Sequence, residues 1–294
     1  MRGWWRDLAD LVLPADCAGC GAARCLLCPG CREELSGTGA RRVRPCPEPV
    51  GLPVVHAAAS YGGAVRSVLL SHKERGALAL AEPLGAALAG AVHAGLAAAA
   101  AAAADGPGAR GRPEGGYAYV RLGEPGRWNG SGAQRSGAGP GRARGLRHEP
   151  GRSPGVVLVA VPSSRGSVRA RGHDPVRRIA LAASARLRRD GGPARVLPVL
   201  RQRRAVADQA GLGGRQRQYN LAGALEVRPG AAALLEGAQP VLVDDLMTTG
   251  ATLAEAARAW CEAVPAAPAP FAAVVAGPAD SNFEPRSPGT RTEQ

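Results

Sequence analysis

Lysine is nearly absent from this 294-residue chain: of 37 basic residues one is Lys73 and the rest are arginine. Aromatic residues are scarce too, with four Trp, four Tyr and two Phe, so any core must be aliphatic, built from Ala, Leu and Val. Residues 156–220, the most basic block of the chain, carry a single aromatic, Tyr219. That argues against a stacking platform for single-stranded nucleic acid, which interleaves aromatics with cations. Direct nucleic-acid binding is therefore not favoured. The opening segment MRGWWRDLADLVLPADC lacks the apolar core of a secretory signal and carries acids, which points to a cytoplasmic protein. Residues 83–104 carry no formal charge and approach the roughly 20 residues a membrane helix needs. They are mostly alanine, broken by Gly85, Gly90, Gly95 and His93, and partition too weakly to predict a membrane span.

What is abundant is positive charge, and it is uneven. The formal net charge is +13; residues 156–220 hold 14 Arg against Asp174, Asp190 and Asp208, a net of +11. Residues 105–155 add +5, which leaves −3 for the remainder. A dense positive field attracts polyanions, whether nucleic acid or a phosphorylated small molecule. A codon bias toward Arg, Ala and Gly produces the same excess, so charge alone does not separate the two explanations.

Periodicity divides the chain. YGGAVRSVLLSHKERG, residues 61–76, places Val65, Val68, Leu69 and His72 at helical spacing. Leu80, Leu84, Leu88, Val92 and Leu96 recur every four residues, which predicts a helix packing by one face with Pro83 in its first turn. Residues 37–104 thus read as a helical lead-in. Residues 105–154 are dense in Gly, Pro, Ser and Arg and cannot bury enough surface to offset their ordering entropy. They read as a disordered insertion and inert linker. From residue 155 to 277 strand-like runs (VVLVAVPSS, ARVLPVL, PVLVDDL, FAAVVAG) alternate with helical patterns at residues 175–189 and 252–263. That alternation predicts an α/β fold, a central parallel sheet covered by helices. Residues 278–294 read as a disordered tail.

CAGCGAARCLLCPGC near the start supplies Cys17-x2-Cys20 and Cys28-x2-Cys31. Four thiolates at such spacing close a tetrahedral structural zinc site, and the segment 1–36 reads as an N-terminal helix followed by a zinc knuckle. Cys25 offers an alternative pair with Cys28; the longer, less strained loop after Cys20 favours Cys28 with Cys31. Cys46 and Cys261 read as plain thiols.

VLVDDLMTTGATL, residues 241–253, sets two acids at the end of a buried strand and three threonines around a glycine. A loop at the carboxyl edge of a parallel sheet is where open α/β folds bind ligands. Thr248, Thr249, Gly250, Ala251 and Thr252 then sit at the amino end of the next helix, a pocket for a phosphate monoester. Asp244 and Asp245 are acceptors suited to a vicinal diol, so a sugar phosphate satisfies both halves.

That stretch resembles the signature of the type I phosphoribosyltransferases, whose two acids and T-T-G-x-T loop hold the ribose 5-phosphate of phosphoribosyl pyrophosphate (PRPP). With the cysteine knuckle, YGGAVRSVLLSHKERG, VAVPSSRGSVRARGHD and DQAGLGGRQRQYNLAGAL in that order, the chain is similar to the ComF family, over essentially its whole length except residues 105–154 and the tail. The resemblance implies a type I phosphoribosyltransferase fold and a link to competence, the uptake of external DNA. Position by position, it implies that Ser163, Ser164 and Arg165 meet the pyrophosphate, with Arg169 and Arg171 adding charge, and that residues 208–220 form a mobile segment over the site. It also implies Asp244 and Asp245 as catalytic acids, with Mg²⁺ accompanying PRPP. The chain departs from the family's R-G-F-N-Q at Arg171-Gly172-His173-Asp174-Pro175, where His173 reads as an exposed loop residue. Lys73 occupies the family's H-K-x-x-G position and reads as a helix-surface lysine.

The function these features imply is Mg²⁺-dependent phosphoribosyl transfer to an unidentified acceptor, through an oxocarbenium-like state. The alternative is a PRPP-binding regulator, or an adaptor for competence or DNA-processing proteins, without turnover.

Overall fold

A computed structural model describes residues 16–37, 39–104, 155–204, 220–235 and 238–279. The expected N-terminal helix, the 105–154 insertion, most of the 208–220 segment and the 280–294 tail lie outside the described residues.

Six strands form one sheet: β1 (Arg41–Val43), β2 (Val55–Ser60), β3 (Val156–Ala160), β4 (Ala194–Val196), β7 (Gln239–Leu246) and β8 (Phe271–Gly277). Their order is β1-β2-β8-β7-β3-β4. Only β1 runs antiparallel to its neighbour. β5 (Leu200–Gln202) and β6 (Leu225–Val227) pair separately as an antiparallel ribbon. The helices are α1 (Pro29–Leu35), α2 (Gly63–Lys73), α3 (Ala81–Ala104), α4 (Arg165–Arg171), α5 (Pro175–Arg189) and α6 (Ala251–Ala263).

Both faces of the sheet are covered, as continuous apolar strands such as VVLVA and FAAVVAG require. On one face Val241, Val243 and Val275 pack with α2, α3 and α5; on the other Leu242, Val157 and Val274 pack with α6 and the ribbon. α5 buries Val176, Ile179, Ala180, Ala183 and Leu187, the stripe expected from its spacing. α3 buries Leu84, Leu88 and Val92, each removal from water contributing about 2 kcal/mol. By length and composition α3 with the turn before it is one helix apolar enough to cross a membrane, but that stripe is spent on α5, β2 and β8. A Cβ at Gly85 would collide with Ala182, so the small residue sets how closely α3 and α5 approach.

Two expectations change. Residues 37–104 are more than a helical lead-in, because β2 joins the sheet beside β8, from Val55 opposite Ala272 to Ser60 opposite Gly277. VHAAAS has too few β-branched residues to announce a strand, and the pairing partner decides its conformation. ARVLPVL, expected as one strand, divides around Pro198 into β4, which pairs with β3, and β5, which turns away to β6. Proline cannot donate to a ladder, so the chain changes sheets there.

Candidate functional site

The strand order creates a switch point at the carboxyl edge of the sheet. β3 and β7 are adjacent and parallel, with Ala160 opposite Val243. From the carboxyl end of β3 the chain passes through α4 and α5 to β4; from that of β7 it passes through α6 to β8, on the other side. The two loops therefore diverge, and such switch points are where open α/β sheets hold ligands. Ser163 and Ser164 lie in one loop, and Asp244, Asp245 and residues 247–250 at the other.

Gly250 caps α6 with a left-handed φ of 74°, and no side chain caps the helix. Its first N–H groups lack intrahelical partners, as at every helix start. Thr248 is exposed, Thr249 and Thr252 are half-buried, and among the described residues none of the three hydroxyls makes a hydrogen bond. Gly250 is required twice over. Besides its φ, a Cβ there would lie 2.9 Å from Cδ1 of Leu52, which packs over the loop with Pro45.

Asp245 is 5% exposed, and its Oδ2 accepts a 2.8 Å hydrogen bond from Lys73 Nζ at the end of α2. Asp244 is half-buried and accepts from the Asp245 N–H at 2.8 Å. Burial pushes the Asp244 carboxyl well above the usual carboxylate range and the Asp245 charge adds to that; Lys73 only partly offsets it. Burial would lower the Lys73 ammonium, but the Asp245 carboxylate more than compensates and holds it above its ordinary value.

The opposite wall is more occupied than its residue types suggest. Ser164 caps α4, accepting from the Ser167 N–H at 3.0 Å. Ser163 donates to Asp174 at 3.4 Å, and Asp174 in turn caps α5. Arg171 directs its fork at Glu74, with Nε and one terminal nitrogen 3.0 and 2.8 Å from the two carboxylate oxygens. Arg169 is exposed. Arg165 opens α4, and its side chain lies outside the described residues.

His173 is not an exposed loop residue. It is buried with Nδ1 3.0 Å from the Arg171 carbonyl, and its ring meets that of the buried His72 at 5.9 Å. The left-handed Gly172 that ends α4 turns it inward. Sequence reasoning also missed Lys73 and Glu74, which α2 delivers to the site. Two signals were available: Lys73 is the only lysine in an arginine-rich chain, and it falls at the H-K-x-x-G position of the family the chain resembles.

The cysteines form a separate centre. The sulfur atoms of Cys17, Cys20, Cys28 and Cys31 all lie within 4.8 Å of one another, a group able to hold a metal ion. Cys25 stands outside that group, its Sγ 3.5 Å from the Ala22 carbonyl. Cys28 caps α1 through its sulfur, and Cys17 accepts from the Cys28 N–H at 3.3 Å. Burial would raise the Cys17 thiol, but backbone N–H groups of Cys20, Cys28 and Gly19 bring it down to about 6. Thiolate character of this kind suits metal ligation. No disulfide joins any of the seven cysteines among the described residues, and Cys46 and Cys261 are exposed. The knuckle packs on α2, whose far end carries Lys73.

Searches of protein-family models and of curated proteins return no match to this chain.

Proposed function

We propose that the chain is a PRPP-binding protein of the type I phosphoribosyltransferase kind, related to the ComF family, that transfers the phosphoribosyl group to an acceptor with Mg²⁺. The observation that carries this reading is the uncapped start of α6, flanked by three unpartnered threonine hydroxyls, at the switch point beside Asp244 and Asp245. Orphan N–H groups and hydroxyls suit the 5-phosphate, and the acids suit the ribose hydroxyls.

On this reading the pyrophosphate lies toward Ser163, Ser164 and Arg171, where positive charge stabilises the departing group as C1 becomes cationic. Arg171 must then exchange Glu74 for the ligand. Mg²⁺ supplies charge neutralisation to the diphosphate when bound. Cys17, Cys20, Cys28 and Cys31 would together hold one Zn²⁺, and four thiolate ligands would give it a structural rather than a catalytic role. A cytoplasmic, reducing setting fits free thiols, and a link to competence or DNA-processing proteins rests on the motif order alone.

Calorimetric titration of PRPP, with and without Mg²⁺, tests the reading on the wild type and on the Asp244→Asn/Asp245→Asn variant. Binding by the wild type and loss in the variant are expected. A folded wild type that ignores PRPP would overturn it. A pyrophosphate-release screen over purines, pyrimidines and amines then separates transfer from binding alone; PRPP binding with no release would make the chain a regulator or adaptor.

A further inference from the structure

Lys73 is the only lysine in a chain whose other cationic side chains at pH 7 are guanidinium, and among the described residues it is the cation paired with Asp245. The two are not interchangeable: an ammonium is a compact charge with three donors, a guanidinium a planar fork. One donor of Lys73 is spent on Asp245 at 2.8 Å, and among the described residues the other two meet no acceptor. The side chain is not sealed in, with 34% of its surface exposed against 7% for the Asp245 carboxylate.

Its surroundings point to an anion. Arg171 is close enough for its charge to oppose that of Lys73, although both also have carboxylate partners, Asp245 and Glu74. α2 thus ends with Lys73 tied to β7, and Glu74 beyond it tied to α4, so its terminus links the elements on either side of the switch point. Lys73 thus keeps two unspent N–H donors at the sheet's carboxyl edge, on the side of α4 that carries Arg171, where an oxyanion would satisfy them.

We propose that Lys73 is a ligand-contacting residue: one N–H fixes Asp245 while the other two donate to oxygen atoms of the diphosphate group of PRPP, between Lys73 and Arg171. This rests on the PRPP reading and adds to it the end of the ligand that α2 grips.

The single lysine makes the test direct, because an amine-reactive ester can label only Lys73 and the terminal α-amine. Labelling of the full-length wild type is followed by peptide mass spectrometry with no ligand, with PRPP, with inorganic pyrophosphate and with ribose 5-phosphate, all with Mg²⁺. PRPP and pyrophosphate are expected to slow Lys73 labelling about tenfold, the equivalent of one charge-assisted contact, with the α-amine unchanged and ribose 5-phosphate without effect. Unchanged labelling under PRPP that calorimetry shows to be bound would overturn this proposal alone. Equal protection by ribose 5-phosphate would overturn the diphosphate assignment, and absence of PRPP binding would overturn this proposal together with the reading beneath it. In parallel, Lys73→Met is expected to weaken PRPP binding about tenfold, and Lys73→Arg, which keeps the charge but replaces the compact ammonium with a planar fork, to recover only part of that loss. Wild-type affinity in Lys73→Met would count against the contact, and the labelling experiment decides the matter if that variant does not fold.

Discussion

Asp244 and Asp245 are consecutive on β7 but occupy different environments. Asp245 shares the layer of Val241 and Val243, where α2 brings Lys73 to it, and strand alternation turns Asp244 the other way. The pair that looks like one feature in the sequence is two groups on opposite faces of the strand with different partners.

The two acids should therefore respond differently to neutralisation. Asp245→Asn leaves a partly buried ammonium without its partner and is expected to lower stability by about 2 kcal/mol. Asp244→Asn removes a carboxylate whose ionisation burial opposes, so stability at pH 7 should hold or rise. Both should weaken PRPP binding. Urea midpoints and calorimetry on the two single variants check both halves.

The pH dependence follows from the same raised carboxyl. A group whose folded value lies above its unfolded value, about 4 for aspartate, favours the folded state most in acid, and that contribution is lost as pH rises through the folded value. Glu255 is the reverse case. Burial would raise it, but hydrogen bonds from Arg258 and the Leu225 N–H hold it below its ordinary value, so its contribution is lost on acidification. Denaturant midpoints between pH 4 and 8 should show a downward slope with rising pH in the wild type relative to Asp244→Asn. Ribose hydroxyls donating to Asp244 would favour its ionised form, so PRPP binding should release a proton, detectable as buffer-dependent binding enthalpy.

Glu255 and Arg258 on α6 together bind both backbone groups of Leu225: Glu255 accepts its N–H at 3.0 Å and Arg258 donates to its carbonyl at 3.0 Å. They act as a surrogate neighbouring strand for β6. Glu255→Ala leaves a buried N–H unpaired and should cost about 2 kcal/mol, read by thermal unfolding. Arg258→Met should cost less, since that side chain is partly exposed.

Gly250→Ala should lose about 1–2 kcal/mol from the left-handed conformation, plus a steric cost against Leu52. Adding Leu52→Ala should recover only the steric part. Melting temperatures of the three variants give the partition, and PRPP affinity should fall with the conformational part.

Purified protein should contain one zinc per chain, retained in Cys25→Ser and lost in Cys31→Ser, as atomic absorption would show. Because the knuckle packs on α2, metal removal should lower the melting temperature and also weaken PRPP binding through the displaced Lys73.

Much of the site was legible because its chemistry is local. The strand, acids, threonines and glycine of residues 241–253 lie on consecutive positions, and the cysteine pairs announce their ligand geometry by spacing. What was not legible is long-range. Nothing around Lys73 signals that it will meet Asp245, 172 residues away, nor does an alanine-rich VHAAAS signal a parallel strand. His173 looked exposed because polar residues surround it; the turn at Gly172 buries it instead.

The amino-acid sequence by itself determined the alternation of apolar strands and amphipathic helices, the cysteine quartet and the glycine turn that opens α6, since each depends on spacing along a few residues. Only the tertiary structure decided which loops flank the switch point and which cation neutralises which acid. Those pairings follow from strand order and helix docking, where free energy comes from surfaces distant in sequence that exclude water together.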